Sequence, residues 1–167
     1  MDIWGIFHRE LIVFGLSMLP ISEIRGSVIY GLSVMGKDFL SQLQVYLISV
    51  FGNFLPVPFI LLLFRPILKK FKKFKIFKGA TDWIENRTMG KAQKLAKISA
   101  GALFVFVAVP LPTTGAWSGA MIASLLDMRF KYALPAILGG IMVSGIIVTL
   151  LMNGVLSFGA LNSLFLK

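Results

Sequence analysis

Cysteine is absent from the 167 residues, histidine occurs once, and seven acidic side chains face seventeen Lys and Arg. The missing thiols exclude disulfides, thiolate catalysis and cysteine-ligated metals, and leave the redox compartment unread; His8 alone cannot build a histidine metal site. No cofactor and no metal are expected. Nor is there a Ser-His-Asp constellation, a carboxylate cluster or a glycine-rich phosphate loop, so the residues do not point to an enzyme. Charge is scarce altogether: 14% of residues are charged and 57% hydrophobic, where a soluble domain carries about 25% charged residues. Such a composition belongs to an integral membrane protein, read as all-α because only helices and closed barrels satisfy their backbone in lipid.

What charge there is sits in one place. Between Arg65 and Lys97 stand eleven Lys/Arg against Asp82 and Glu85, so this stretch carries +9 of the formal +10. By the positive-inside rule it is the cytoplasmic loop of a multi-pass protein in a prokaryotic cell membrane. Within it, RPILKKFKKFKIFK puts Ile67, Leu68, Phe71 and Phe74 at helical spacing with lysines between them. That pattern suits an amphipathic helix on anionic lipid headgroups, and it also suits a plain topogenic loop. Nucleic acid is not the expected partner, because a tethered loop meets headgroups first. At the N-terminus Glu10 follows His8 and Arg9, and Pro20 replaces a small-residue cleavage site; the segment is expected to be retained, with those three residues forming an interfacial cluster.

Four apolar segments remain. Leu40 to Phe64 and Tyr132 to Leu156 are each about 25 residues, enough to cross a ~30 Å hydrocarbon core. Pro56, Pro58 and Pro135 read as kinks, and Gly139, Gly140 and Gly145 as points of close helix packing. Leu11 to Met35 and Ser99 to Leu126 differ, because PISEIRG and PLPTTG interrupt them and leave arms of about half a bilayer. These read as re-entrant hairpins. Ser22 is placed to cap a helix starting at Glu23, and Thr113 or Thr114 one starting near Gly115. Non-helical backbone at such depth is tolerated only in protein or beside a wet cavity, so the turns mark a candidate site.

Pro20-Ile-Ser-Glu and Pro112-Thr-Thr-Gly each precede an apolar arm, a polar junction and a spanning segment. The chain thus divides into a first repeat (1–64), the basic loop (65–98) and a second repeat (99–167), within one membrane domain. Each repeat is a re-entrant hairpin plus one transmembrane helix, which crosses an odd number of times and inverts the second copy. A four-span arrangement is the competitor. Counting positive charges does not separate them, since both put thirteen Lys/Arg inside and three outside.

The stretches PISEIRGSVIYG and VPLPTTGAWSGAMIASLL, with the basic linker between them, resemble the signatures of the small multidrug export family, distantly related to the DedA/VTT superfamily. The resemblance covers nearly the whole chain. It implies paired re-entrant hairpins and, through the DedA relatives, proton-dependent transport or recycling of a polyprenyl-phosphate lipid carrier. The chain is shorter than typical DedA proteins and has Trp117 and Ser118 where their second motif is arginine-rich.

If both turns aim at the membrane midplane, the returning helices bring electropositive N-termini to a shared polar pocket, an anion site. Arg25 adds a full charge and a fork suited to phosphate or carboxylate, and Ser22, Thr113 and Thr114 add hydroxyls. Glu23 opposes an anion when ionised, so its protonation would couple transport to the proton gradient. Trp117 serves packing or substrate stacking. Asn53, mid-span beside Gly52, serves a helix-to-helix hydrogen bond or the site. Glu23 as a helix-dipole partner and Arg25 paired to a carbonyl is the structural alternative. A secondary transporter of an anionic or amphiphilic substrate follows, with a lipid-phosphate translocase and a non-transporting structural or adaptor protein as alternatives. Four half-helices need more cover than two spans provide, and a homodimer is expected.

Overall fold

The computed structural model describes residues 3–36, 38–71, 92–111 and 114–165, and every described element is a helix. In chain order these are α1 (Ile3–Met18), α2 (Glu23–Val34), α3 (Phe39–Phe54), α4 (Pro56–Phe71), α5 (Ala92–Ala108), α6 (Ala116–Leu125) and α7 (Phe130–Phe165). Two apolar runs are long enough to cross a bilayer: Phe39–Phe64, 26 residues, and Phe130–Gly154, 25 residues. Their outer faces carry Phe39, Leu40, Phe51, Leu62 and Leu150, each more than half exposed, an apolar surface suited to lipid.

The sequence predicts one helix over Leu40–Phe64; the structure has two, divided at Leu55. The cause is Pro56, which disfavours helical backbone at the preceding residue and has no N–H to offer the Gly52 carbonyl. Pro135, by contrast, sits inside α7 without ending it. Past the expected membrane edge α4 continues to Phe71, and the rest of the basic loop, with Phe74, lies outside the described residues.

The chain forms two compact units whose boundaries fall inside the spans, at 53/54 and 140/141. The first comprises α1, α2, α3 and α7 from Ile141 onward. Here α1 and α2 pack side by side, and the Arg9 guanidinium in the middle of α1 reaches the Val34 carbonyl at the end of α2, 2.8 Å away; the chain therefore reverses between them. Val13, Ile24, Val28, Leu32 and Val45 are 0–2% exposed and make the core. The second unit comprises α4, α5, α6 and α7 up to Gly140. There α6 packs against α4 and folds back on α5, with Gly119 against Val107 and Leu103.

Helix against helix in lipid gains nothing from the hydrophobic effect, so close approach has to supply the attraction. Glycine permits it. A Cβ on Gly140 would lie 2.6 Å from the Val107 Cβ and 2.9 Å from the Phe104 carbonyl oxygen, and one on Gly145 2.8 Å from Ile24 and Tyr46 atoms. Between the hairpin and α3, Gly36 takes φ +123°, a left-handed turn suited to glycine. Asp38 then starts α3: its carboxylate accepts from the Ser41 N–H at 3.1 Å and the Ser41 hydroxyl at 2.8 Å.

Candidate functional site

α1 stops at Met18, and α2 starts at Glu23 after the four-residue turn Leu19–Ser22. The Glu23 N–H bonds to the Leu19 carbonyl at 2.9 Å, which holds the turn closed. Ser22 does not cap α2. Its backbone is already helical (φ −83°, ψ −42°) and its hydroxyl donates back to the Leu16 carbonyl at 2.5 Å, whereas an N-cap needs extended backbone to aim its oxygen at the helix. The reversal is taken instead by Glu23, with φ +45°. A left-handed conformation is uncommon for any residue but glycine, and when it persists the surroundings hold it there. Those surroundings are tight: Glu23 is 7% exposed.

Arg25, two residues on, is half-buried and lies within electrostatic reach of the Glu23 carboxylate. A carboxylate and a guanidinium thus share the first turn of α2, at the helix end that carries roughly half a positive charge. The pair gives this turn a group that can change charge and a group that cannot.

Asn53 belongs to the same unit and is 1% exposed. Its neighbour Gly52 packs directly on the Ser17 hydroxyl and the Phe14 carbonyl in the last turn of α1. The end of α3 thus meets the end of α1 at Gly52, and the Asn53 Oδ1 has no hydrogen-bond partner. Four buried serines that sequence reasoning passed over line the same unit: Ser17, Ser27, Ser49 and Ser144. The one signal for them was the Ser49/Asn53 spacing, one helical turn. In the second unit Ser124 is the buried polar side chain among the described residues.

The second turn is built differently. The Thr114 hydroxyl accepts from the Leu111 N–H at 3.1 Å and lies 2.7 Å from the Val109 carbonyl and 2.9 Å from that of Leu111. It ties the turn to itself, and Gly115, which has no side chain, occupies the cap position of α6. Trp117 in the first turn of α6 is half-buried. Thr113 lies outside the described residues. Of the expected site residues, then, Ser22, Glu23, Arg25 and Asn53 are placed in one unit and Thr114 and Trp117 in the other.

A groove of about 240 Å³ runs between α3 and α7 of the first unit. Gln42, Tyr46 and Thr149 give it a polar edge, and Phe39, Leu43 and Leu150 an apolar one. Gln42 accepts from the Asn153 amide at 2.9 Å, and the Tyr46 hydroxyl donates to the Met142 carbonyl at 3.0 Å. Polar hydrogen bonds thus cross a helix pair that is otherwise apolar.

Residues 23–147, from the left-handed glutamate through the basic loop to the middle of α7, match the family described as "putative small multi-drug export protein". The chain belongs to the small multi-drug export family. The match begins directly after the first turn, takes in the second turn and the whole of the first crossing segment, and ends at Ile147 within the second. No curated protein matches the chain, and no solved structure does. As a small multi-drug export protein it is a membrane protein, in agreement with its two apolar helical runs of crossing length.

Proposed function

We propose that the chain is a secondary transporter in which the Glu23/Arg25 turn binds an anionic or amphiphilic substrate and Glu23 couples its passage to the proton gradient. The observation that carries this reading is the buried carboxylate held in left-handed backbone beside an arginine at a break between two helices. Arg25 and the α2 N-terminus attract the anion. Ionised Glu23 repels it, and protonation removes the repulsion, so binding and release follow the proton. On this reading the helix pairs are re-entrant hairpins of an inverted repeat in a prokaryotic cell membrane, with loop 65–98 cytoplasmic on anionic headgroups and two copies forming a homodimer. Each compact unit contains one hairpin, the first part of the span that follows it and the last part of the other span, which supports an internal repeat.

The groove between α3 and α7 favours an amphiphile over a small soluble anion, because exposed Phe39 and Leu150 line it together with Gln42 and Thr149. A DedA-like translocation of polyprenyl phosphate is the second reading, and this groove is what supports it.

The test is uptake or efflux in proteoliposomes with an imposed proton gradient, using an amphiphilic dye and a short polyprenyl phosphate as alternative probes. Glu23→Gln is expected to retain probe binding and lose its pH dependence, and Arg25→Ala to lose binding. If both variants behave as wild type while neutralising the loop lysines abolishes function, the chain is a structural or adaptor protein.

A further inference from the structure

The polar side chains of the groove between α3 and α7 find their partners within the protein. Gln42 accepts from the Asn153 amide at 2.9 Å, the Tyr46 hydroxyl donates to the Met142 carbonyl at 3.0 Å, and the Thr149 hydroxyl donates to the Gly145 carbonyl at 2.8 Å. An occupant is asked for no hydrogen bond. The other walls, Phe39, Leu43, Ile146 and Leu150, are apolar and exposed.

A helix of a second copy is a poor match for these walls. Helices approach each other in lipid over small residues, and the glycines that serve this on the two helices face inward, Gly145 against Ile24 and Tyr46 and Gly52 against the end of α1. Bulky side chains rim the groove instead. A flexible hydrocarbon chain fits between them where a rigid helix does not.

Position points the same way. The run Phe39–Phe64 leads into the basic stretch that opens at Arg65, so Phe39 lies at the membrane face away from that stretch. Asn153 meets Gln42, and Met142 and Gly145 meet Tyr46, so α7 runs antiparallel to α3 and brings its later part to the same face. Two re-entrant hairpins produce this antiparallel sense, whereas four full crossings would make the two segments parallel. From Phe39 to Tyr46 the groove follows α3 for about 10 Å, most of one ~15 Å leaflet. At its inner end Gly145 packs against both Tyr46 and Ile24, the residue between Glu23 and Arg25. The groove therefore runs from the headgroup layer to the level of the first turn of α2.

We propose that the substrate is an amphiphile taken from the leaflet opposite the basic stretch, with its hydrocarbon chain held in the α3/α7 groove. The inference rests on the transport reading and names the substrate class of its site. A chain in this groove stays in hydrocarbon, open to lipid on one side, so only the head group has to be moved; a soluble anion has no such route.

The test is photolabelling of the full chain in sealed membrane vesicles with a single-chain alkyl phosphate that carries a diazirine midway along its chain, the adducts being mapped by mass spectrometry. With the probe added from the side away from the basic stretch, adducts are expected on Phe39 to Tyr46 and on Ile146 to Leu150 and are displaced by excess unlabelled alkyl phosphate; inverted vesicles show fewer. Leu43→Trp/Ile146→Trp, which fills the groove from two lipid-facing positions, loses them. Labelling spread evenly over Leu47, Phe51, Leu62 and Leu63, as boundary lipid would produce, overturns the proposal. So does labelling that survives the competitor or the double variant, or that is equal from both sides. A Leu43→Cys variant that cross-links to a second copy and shuts out the probe assigns the groove to a dimer contact, and this too overturns it. Labelling needs no proton gradient. Groove adducts together with an unchanged pH profile in Glu23→Gln remove the coupling and leave the groove, whereas absent adducts with coupling intact remove the groove alone.

Discussion

Arg9 and Val34, 25 residues apart, are joined by a hydrogen bond of 2.8 Å from the Arg9 Nη1 to the Val34 carbonyl. The acceptor is in the last turn of α2, where carbonyls lack helical partners and the dipole is negative. The bond therefore closes the open end of the hairpin with a cation at a helix C-terminus. Arg9→Ala is expected to cost on the order of 1 kcal/mol, a midpoint lower by about 2–4 °C. Arg9→Lys recovers part of it. A hairpin held by packing alone would show no change in either variant.

Close approach at Gly140 makes a sharper demand. Gly140→Val drives a side chain into Val107 and the Phe104 backbone, and overpacking of this kind costs roughly 1–3 kcal/mol. Gly101 of α5 has nothing within 4 Å of its would-be Cβ, so Gly101→Ala is expected to raise stability by up to ~1 kcal/mol through helix propensity. Opposite shifts in thermal midpoint are the check. A tolerated Gly140→Val would mean that α5 and α7 are not packed as described.

Asp38 supplies the pH dependence. The two hydrogen bonds from Ser41 hold its carboxyl below the usual carboxylate value. A depressed folded value means that the bonds add stability above the unfolded value of about 3.9 and lose it as pH falls through the folded one. The stability difference between wild type and Asp38→Ala is therefore expected to stay constant near neutrality and to shrink below pH ~4. Unfolding followed at several pH values measures it. A difference that grows on acidification contradicts the sign.

Topology is testable because the chain carries no cysteine. Single cysteines at Lys37 and Arg129, labelled with an impermeant maleimide, are expected to react from opposite sides of the membrane, with Arg129→Cys cytoplasmic. Labelling of Arg129→Cys from outside would restore the four-span arrangement.

Helix breaks were legible in the sequence wherever proline met small polar residues: α2 starts at Glu23 and α6 at Ala116, next to PISE and PTTG. Pro56 and Pro58 were legible as kinks within one span; what was not is that Pro56 ends the helix for one residue, at Leu55, because hydropathy runs on through Val, Phe, Ile and Leu. Capping was misplaced at Ser22 for a geometric reason, since a composition rule cannot see that Glu23 takes the left-handed turn and leaves Ser22 helical. Apart from the Ser49/Asn53 spacing, the buried serines gave no signal either. A serine fits an apolar stripe without altering its period, and only coordinates show whether its hydroxyl is satisfied.

The geometry of Glu23 rests on its neighbours, and one pair can be separated experimentally. A Cβ at Gly26 would lie 2.6 Å from the Ser22 Cβ, so Gly26→Ala is expected to cost about 1–3 kcal/mol. In Ser22→Gly the obstacle is gone, and the same Gly26→Ala change becomes neutral or stabilising, because alanine is favoured over glycine inside a helix by about 1 kcal/mol. The cycle should show a coupling of at least ~1 kcal/mol. Additive changes would mean that the turn yields elsewhere, that Ser22 does not fix the first turn of α2, and that the left-handed backbone of Glu23 is not held in place by it.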